Sequence, residues 1–288
     1  HADARQVYVE HGLRALPALA RNGLGDLLDR HLSRTYRAMA ATIAATPGAA
    51  KVLRDLRVAN VRLIPLGTNP DVFHPDRRDP GWRHGLGMSP GRPIALYVGR
   101  LSSDKRLDVI LSALPGLHQA TGIHVVLVGE GHLRGELQAF ASKHPNLLTV
   151  LPFEADRPRL ARIYASADLY LAPFPNETFG LATVEAMASG LPVVGVNAGG
   201  TADLLRGAPW ARLYRSGDAA DLSRSVTDVL SQDLTALGRQ ARETASTRFS
   251  WEQTFSSLFA LYRDLVRSSS RTPSVPVAAN VEAVRPTT

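Results

Sequence analysis

Residues 168–196 read DLYLAPFPNETFGLATVEAMASGLPVVGV, and this stretch decides the fold. Two short apolar runs, at 168–172 and 192–196, flank a proline-rich turn and an apolar segment with helical spacing at 180–189. Short apolar strands joined through a helix are typical of a parallel sheet that is covered on both faces. The stretch therefore predicts a strand–helix–strand unit in which the second strand runs parallel to the first.

The same alternation extends in both directions from this unit. Further apolar runs occur at 94–98, 124–128, 148–152 and 211–214. Amphipathic segments that predict helices follow the strands, at 104–114, 133–142, 157–166, 202–205 and 219–230. The order predicts an α/β fold, a doubly wound, Rossmann-like parallel sheet, whose ligands bind beyond the carboxyl ends of the strands. We therefore expect the functional residues in the loops at those strand ends.

Residues 1 to about 62 have a different pattern. Apolar residues at three- and four-residue steps from Leu24 to Ile43 predict one long helix with a single apolar face. A turn at Thr46–Gly48 precedes a short helix predicted at 49–56, and the only strand signal is the run 61–64. Because the chain begins at His1, we expect this part to be the end of a domain whose beginning is missing.

Composition narrows the function further. The chain has 288 residues, 44% of them apolar and none of them cysteine, which fits a globular protein without disulfides or thiolate metal sites. No apolar run approaches the length of a membrane span, and no signal peptide is visible. The formal net charge of +7 comes mainly from scattered arginines, with three lysines. Neither a zinc-ligand set nor an RNA-binding aromatic motif accompanies it, so we expect no nucleic-acid partner.

The loop after the first strand of the sheet is basic. It reads Gly99-Arg100-Leu101-Ser102-Ser103-Asp104-Lys105. Gly99 lets the backbone approach a ligand, and Asp104 is predicted to be the N-cap of the following helix. Arg100 and Lys105 beside a helix N-terminus suit a diphosphate. The alternative, a capped surface helix with solvated basic side chains, is open for this loop taken alone.

The turn at 173–180 places two glutamates around one helix start. Glu177 precedes the free N–H groups of Phe179, Gly180 and Leu181, which are able to bind a carboxylate or a phosphate. Glu185 lies on the second turn of an apolar helix, so it needs a partner or a cleft. The alternative makes Glu177 a capping residue and Glu185 a surface charge, but the order of the elements favours a polar site.

Two other loops carry weaker signals. The loop Val128-Gly129-Glu130-Gly131-His132 permits close approach of a ligand, although a plain tight turn fits it equally well. The loop Gly199-Gly200-Thr201-Ala202-Asp203 joins a strand to a short helix and is predicted to form an anion nest.

These residues together resemble the family-4 retaining glycosyltransferases, the glycosyl transferases group 1, which have the GT-B fold. The resemblance covers residues 61–262. Glu177 to Glu185 matches the Glu-x7-Glu motif of the family, and Gly99-Arg100 with Lys105 matches its Gly-Arg-x4-Lys element. Further matches are the turn at 128–131, the hinge at 64–67 with 73–75, and the start of a closing helix at 249–251.

The resemblance implies a role for each site residue. Arg100 and Lys105 would neutralise the donor diphosphate, and Glu177 would contact the transferred sugar. Glu185 would bind the ribose hydroxyls. The implied roles of the other residues are close backbone approach at Gly99 and Gly129, amide contacts from Phe179, Gly180 and Leu181, and the base site near Phe153.

The resemblance also implies the reaction. A hexose would move from a nucleotide diphosphate sugar, of the GDP-mannose or UDP-glucose type, to a glycan or lipid-linked acceptor. Anomeric configuration would be retained through an oxocarbenium-like state. No cofactor and no metal ion would be needed, because the basic pair and helix dipoles stabilise the diphosphate.

The chain departs from the family pattern at several points. The hinge has Gly67-Thr68-Asn69 in place of Gly-Val-Asp, and residues 199–203 lack the usual Pro and Glu. The stretch 153–156, where the base would sit, lacks the common glycine, and we expect the amino-terminal sheet of the fold to be missing from this stretch of sequence.

With the resemblance, five regions are expected along the chain. They are a helical remnant of the amino-terminal acceptor domain (1–65), a linker (66–93), the donor-binding domain (94–248), a closing helix that crosses to the amino-terminal domain (249–267) and a disordered tail (268–288).

Alternatives to the transferase are a non-catalytic nucleotide-sugar-binding module and a GT-B sugar-nucleotide epimerase, although the Glu-x7-Glu motif argues against the epimerase. We expect a cytoplasmic protein. Peripheral contact with the inner membrane face through the segment 13–28, which carries Arg14 and Arg21, is a further hypothesis. Packing of that segment on the missing domain is the favoured interpretation.

Overall fold

The computed structural model describes residues 18–89 and 91–269. The helices of this part are α1 (Ala18–Arg37), α2 (Pro47–Asp55), α3 (Pro80–Gly85), α4 (Leu107–Thr121), α5 (Arg134–Lys143), α6 (Arg157–Ser166), α7 (Leu181–Ala188), α8 (Gly199–Leu205), α9 (Ala219–Leu230), α10 (Leu234–Arg248) and α11 (Trp251–Ser269). The strands are β1 (Thr42–Ala44), β2 (Val61–Leu63), β3 (Ile94–Val98), β4 (His124–Val128), β5 (Leu148–Leu151), β6 (Leu169–Ala172), β7 (Val193–Val196) and β8 (Ala211–Tyr214).

Six of these strands form one parallel sheet in the order β5-β4-β3-β6-β7-β8. All five of its pairings are parallel, and the last residues of β3 and β4, Val98 and Val128, lie side by side. The chain winds outward from β3 to β5 and then returns to β6 on the other side of β3. The strand order therefore reverses between β3 and β6, which is where ligands bind in such sheets. The predicted doubly wound α/β fold is confirmed.

The strands pair in this way because their side chains are apolar on both faces. β3, β4, β6 and β7 are buried almost throughout, and helices cover both sides of the sheet. α4 packs against α9 on one face, and α7 packs against α10 and α6. The result is a single large core that includes Ile94, Leu96, Leu127 and Tyr164.

The start of α4 differs from the prediction. The helix was expected to begin at Asp104, but α4 begins at Leu107. A short 3-10 helix, Ser103–Lys105, comes first, and Arg106 then adopts a left-handed conformation with φ of 55°. The prediction of Asp104 as the N-cap was wrong, because this carboxylate accepts a hydrogen bond from Ser102 instead. The extra turn changes the direction of the chain between Gly99 and the helix.

The amino-terminal part also differs from the prediction. The helical face expected to reach Ile43 ends earlier, since α1 stops at Arg37 and Ile43 lies in β1. β1 pairs in parallel with β2, from Thr42 beside Val61 to Ala44 beside Leu63. The expectation that β2 had no partner strand was wrong, because helical spacing hid a β-branched pair, Thr42 and Ile43. A small core separate from the large one holds β1, α2 and β2 together.

The segment expected to be a linker, residues 66–93, packs against α6 and neighbouring parts of the sheet domain. It contains a 3-10 helix, Pro75–Arg77, and α3. The ring of Phe73 is fully buried and meets Tyr164 edge-on, with the ring centroids 5.6 Å apart. Arg242 on α10 donates to the carbonyls of Pro70, Phe73 and Ala188, and so ties this segment to the end of α7.

α11 leaves the sheet domain beside the start of this segment. The amide of Thr68 donates to the Phe249 carbonyl at 2.8 Å, and the amide of Trp251 donates to the Thr68 carbonyl at 3.0 Å. A Cβ at Gly67 would collide with the backbone of Ser250 and Trp251, which explains the glycine. One side of α11 exposes apolar residues, namely Trp251, Phe255, Phe259, Tyr262 and Val266.

Two predictions fall partly or wholly outside the described residues. The tail expected at 268–288 lies beyond them except for its first two residues, and so do residues 13–17 of the segment 13–28. None of the helices in the described ranges has the length and apolar character that crossing a membrane requires.

Candidate functional site

The candidate site is a cleft of about 300 Å³ at the carboxyl ends of β3 and β6, where the strand order reverses. The structure brings most of the predicted site residues together there. The cleft is lined, among others, by Gly99, Arg100, Lys105, Glu177, Phe179, Gly180 and Leu181. These residues come from two loops that are about 75 positions apart in the sequence, and the sheet places them side by side.

Lys105 and Glu177 form the charged centre of the cleft. The Lys105 Nζ lies 3.9 Å from the Glu177 Oε2 and 3.4 Å from the centre of the Phe174 ring. The lysine side chain is only 14% exposed, and its burial lowers the pKa of the ammonium group, while Glu177 opposes that shift. A half-desolvated cation next to an aromatic face gains from a bound anion more than a solvated one does.

Arg100 is the exposed member of the basic pair. Its side chain is 71% exposed and pairs with Asp104 at 3.3 Å across the 3-10 turn. Its backbone is fixed, because the buried Tyr97 donates from Oη to the Arg100 carbonyl at 2.8 Å. Burial raises the pKa of Tyr97, so this phenol stays a donor. The arrangement holds the Arg100 backbone in place while its guanidinium, paired with Asp104, stays exposed to solvent.

The β3 and β4 loops interlock beneath Arg100. The amide of Leu101 donates to the Glu130 carbonyl at 2.8 Å, and the amide of Leu133 donates to the Leu101 carbonyl at 3.0 Å. Gly129 lies so close to Gly99 that a Cβ would collide with the Gly99 carbonyl oxygen. Gly129 lines neither this cleft nor the neighbouring one described below. Its visible role is to let the two loops approach each other.

The start of α7 presents the predicted amides to the cleft. Gly180 has a φ of +100°, which an L residue rarely adopts, and the turn of chain there directs the helix N-terminus at the cleft. The N–H groups of Phe179, Gly180 and Leu181 donate to no acceptor within the described residues. Three such amides at a helix N-terminus favour a negatively charged or hydroxyl-rich ligand.

The loop at 199–203 supports this turn from behind. The amide of Gly200 donates to the Glu177 carbonyl at 2.6 Å, and a Cβ at Gly200 would collide with Thr178. The predicted anion nest is therefore wrong for Gly200, because its amide is already used. Asp203 accepts from the Gly48 amide at 2.7 Å, so it joins α8 to the start of α2.

A second cleft of about 310 Å³ adjoins the first and shares Gly99 and Arg100 with it. Its lining includes Phe153, which is 66% exposed, and Glu154. An exposed aromatic ring beside a carboxylate offers a stacking face and a hydrogen-bond acceptor to a planar ligand.

Glu185 is buried below the two clefts and lines neither of them in this structure. Both of its oxygens have partners. Arg157 donates to Oε1 at 2.7 Å, and the buried Tyr164 hydroxyl donates to Oε2 at 3.1 Å. Burial raises the pKa of the Glu185 carboxyl, and Arg157 opposes that shift. The alternative in which Glu185 is a surface charge is wrong.

Four residues that shape the site were not among the predicted site residues. Tyr97 and Phe174 contact Arg100 and Lys105, and Arg157 and Tyr164 contact Glu185. A tyrosine inside an apolar strand or helix is a usable signal, because a buried hydroxyl needs a partner. Arg157 gave no signal, since an arginine at a helix start is an ordinary surface residue.

Within residues 18–89 and 91–269, no group of three or more His, Asp or Glu side chains is arranged to hold a metal ion.

The fold, with its crevice at the reversal of strand order, defines the class of protein as one with a parallel sheet of the GT-B type. The solved structure of sucrose-phosphate synthase from Thermosynechococcus elongatus superposes with a TM-score of 0.71 at 26% identity, over 82% of this chain and 61% of the other.

The sequence model of the glycosyl transferases group 1 matches residues 80–247, more than half of the chain. The chain therefore belongs to this family of glycosyltransferases, and the predicted family is confirmed.

Two curated relatives match over a wider range. A protein from Mycobacterium tuberculosis named GDP-mannose-dependent alpha-(1-6)-phosphatidylinositol dimannoside mannosyltransferase is 30% identical over 85% of this chain. A D-inositol 3-phosphate glycosyltransferase from Segniliparus rotundus is 31% identical over 74% of this chain. The alignments cover 62% and 49% of these relatives, so the chain spans only about half to three fifths of their length.

Proposed function

We propose that the protein transfers a hexose, with retention of anomeric configuration, from a nucleotide diphosphate sugar to a glycan or lipid-linked acceptor. The described part of the chain supplies the donor site. The observation that carries the proposal is the meeting of Arg100, Lys105, Glu177 and the α7 amides in one cleft at the switch point of the sheet.

The charges of the cleft suit a sugar donor in which the nucleoside diphosphate is the leaving group. Bond cleavage between the sugar and the diphosphate places additional negative charge on the phosphate oxygens. Lys105, already partly desolvated, and the exposed Arg100 would stabilise that charge. We propose that this pair makes a metal ion unnecessary.

The polar groups beside the basic pair would hold the sugar. Glu177 would accept hydrogen bonds from sugar hydroxyls, and the amides of Phe179, Gly180 and Leu181 would donate to hydroxyl or phosphate oxygens. The base would occupy the second cleft near Phe153, and Glu185 would accept from the ribose hydroxyls. Gly99 and Gly129 would let the donor and the loops approach closely.

We propose a donor of the GDP-mannose or UDP-glucose type. The name of the Mycobacterium tuberculosis relative, which is GDP-mannose-dependent, supports the first of these. The names of both curated relatives also support an acceptor related to inositol or its lipids, in line with the proposed glycan or lipid-linked acceptor.

The domain plan is part of the proposal. Residues 94–248 would form the donor domain, and residues 1–65 would belong to an acceptor domain. The exposed apolar side of α11 supports a closing helix at 249–267 that packs against that domain.

Calorimetric titration of this chain with GDP, UDP and ADP, followed by GDP-mannose and UDP-glucose, tests the donor site. We expect selective binding of one nucleotide and of its sugar derivative. Glu177→Gln should weaken the sugar nucleotide more than the free nucleoside diphosphate. Equal affinity for all three nucleotides, or no binding of any, would contradict the proposal.

Retention is tested separately, with the selected donor and an inositol-containing acceptor. We expect the anomeric configuration of the product, read by NMR, to match that of the donor sugar. An inverted product would rule out the proposed reaction course.

A further inference from the structure

Glu185 is a carboxylate in an apolar helix, and its charge has to be maintained by its neighbours. Its side chain is 9% exposed, and the residues around it on α7 are Val184, Ala186 and Ala188, all fully buried. Burial of this kind favours the neutral acid. A neutral acid would be a poorer acceptor for two ribose hydroxyls than a carboxylate is, because it loses acceptor capacity and its own O–H needs an acceptor.

Arg157 is the one cation that contacts Glu185 among the described residues. The guanidinium donates to Oε1 at 2.7 Å, although the arginine side chain is 53% exposed. The guanidinium also contacts the ring of Phe73, with the guanidinium carbon 4.6 Å from the ring centre. A planar guanidinium on an aromatic face loses less freedom when it binds a carboxylate.

Other titratable groups around Glu185 do not replace Arg157. From α6, Tyr164 donates to Oε2, and its burial raises the pKa of the phenol, so it remains neutral. From β6, Tyr170 donates to the Val98 carbonyl. From α10, Arg242 is engaged with main-chain carbonyls, including that of Ala188, and β7 (Val193–Val196) has no titratable side chain.

We infer that Arg157 is a positioning residue for nucleoside diphosphate binding: stacked on Phe73, it holds the Glu185 carboxylate charged and oriented for the ribose hydroxyls. The inference rests on the proposed function, because it assigns Glu185 to the ribose. It also gives residues 66–93 a part in the donor site, since Phe73 supports the arginine.

The decisive experiment compares Arg157→Met with the wild type by titration with GDP or UDP between pH 5.5 and 8. Methionine keeps much of the packing on Phe73 but removes the charge. Without Arg157 the pKa of Glu185 rises further, so the carboxyl takes up a proton as the pH falls. We expect the ratio of variant to wild-type affinity to fall as the pH drops from 8 to 5.5, by at most about tenfold for each unit by which the substitution raises the pKa of Glu185.

Three controls accompany this titration. Arg159→Met removes an exposed arginine two residues further along α6. Its ratio of variant to wild-type affinity should not change with pH. Arg157→Lys should restore most of the affinity at low pH. Inorganic pyrophosphate, which has no ribose, should bind wild type and Arg157→Met equally at every pH.

Glu185→Gln distinguishes a failure of the inference about Arg157 from a failure of the proposed function. If this variant weakens nucleoside diphosphates while Arg157→Met binds like the wild type at every pH, the inference is overturned and the proposed function stands. If Glu185→Gln binds nucleoside diphosphates unchanged, the ribose role fails, and the inference fails with it.

A direct titration of Glu185 by carbon NMR, assigned by its loss in Glu185→Gln, needs no ligand. We expect the midpoint of the Glu185 titration to lie at a higher pH in Arg157→Met than in the wild type. Equal midpoints would overturn the inference.

Discussion

At the scale of single residues, the site depends on charges that the fold has partly removed from water. Lys105 is the best example, because its ammonium group lies between the Phe174 ring and the Glu177 carboxylate. A diphosphate would replace lost hydration with direct ion pairs.

Lys105→Ala should weaken binding of a nucleoside diphosphate by roughly 1.5–3 kcal/mol, the usual scale of a charge-assisted hydrogen bond. Calorimetry with GDP and UDP measures the change. Lys143→Ala, which removes an exposed lysine at the end of α5, is the matched control and should have no effect. Unchanged affinity in Lys105→Ala would remove this residue from the donor site.

His124 predicts a pH dependence of stability. It is fully buried, with ring nitrogens near the Asn146 carbonyl and the Thr149 hydroxyl, and burial lowers its pKa to about 4. Between the unfolded pKa of about 6.5 and the folded value, only the unfolded chain binds a proton at this residue. The contribution of neutral His124 to stability is therefore present above that window and lost as the pH falls through it.

We expect wild type to have the higher unfolding free energy at pH 7. Its advantage over His124→Phe should become smaller as the pH falls from 7 to 4. Urea unfolding at several pH values measures it. A difference that stays constant over this range would show that the pKa of His124 is not lowered by folding.

At the scale of elements, the two loops after β3 and β4 act as one unit. Gly129 makes this possible, because any side chain there would collide with the Gly99 carbonyl. The hydrogen bonds of Leu101 with Glu130 and Leu133 complete the contact. The conformation of the Arg100 loop therefore depends on a glycine that does not line the cleft.

Gly129→Ala should destabilise the fold by about 1–3 kcal/mol or more, since one loop must move or strain. It should also weaken diphosphate binding by displacing Arg100. Urea unfolding and calorimetry measure the two effects. Gly135→Ala in α5 is the control, because a Cβ there meets nothing within 4 Å and should stabilise the helix by about 0.5–1 kcal/mol. Equal stability of the two variants would contradict the interlocking of the loops.

At the scale of the whole molecule, the exposed apolar side of α11 is the main feature that the described fold does not use. Trp251, Phe255 and Phe259 stack along the helix, with ring centres 5.7 and 6.4 Å apart. Phe249, only two residues before Trp251, is instead buried against Phe179. The boundary between the sheet core and the proposed domain contact therefore lies between Phe249 and Trp251.

This boundary predicts opposite outcomes for two phenylalanines. Phe259→Ser should change the unfolding free energy of this chain by less than about 0.5 kcal/mol, because the ring packs on no core. Phe249→Ala should cost about 3–5 kcal/mol. Urea unfolding compares them directly. A large loss in Phe259→Ser would mean that the α11 surface is already covered in this chain.

The sequence alone determined the order and type of the main elements. The six strands of the large sheet and helices such as α6 and α9 lie where apolar runs and amphipathic spacing predicted them. Signals of this kind are local, since they depend on which face of a segment must avoid water. The same holds for the family motifs, whose residues are close in sequence. Spacing also misled at Ile43, where a two-strand sheet needed a partner 19 residues away.

Only the tertiary structure decided how the candidate site is built. The pairing of Lys105 with Glu177, the Tyr97 contact under Arg100, and the contacts of Glu185 with Arg157 and Tyr164 join residues from different elements. Their protonation and orientation depend on burial and on distances across the sheet. No local pattern contains those quantities, because they arise when parallel strands bring distant loops to the same edge.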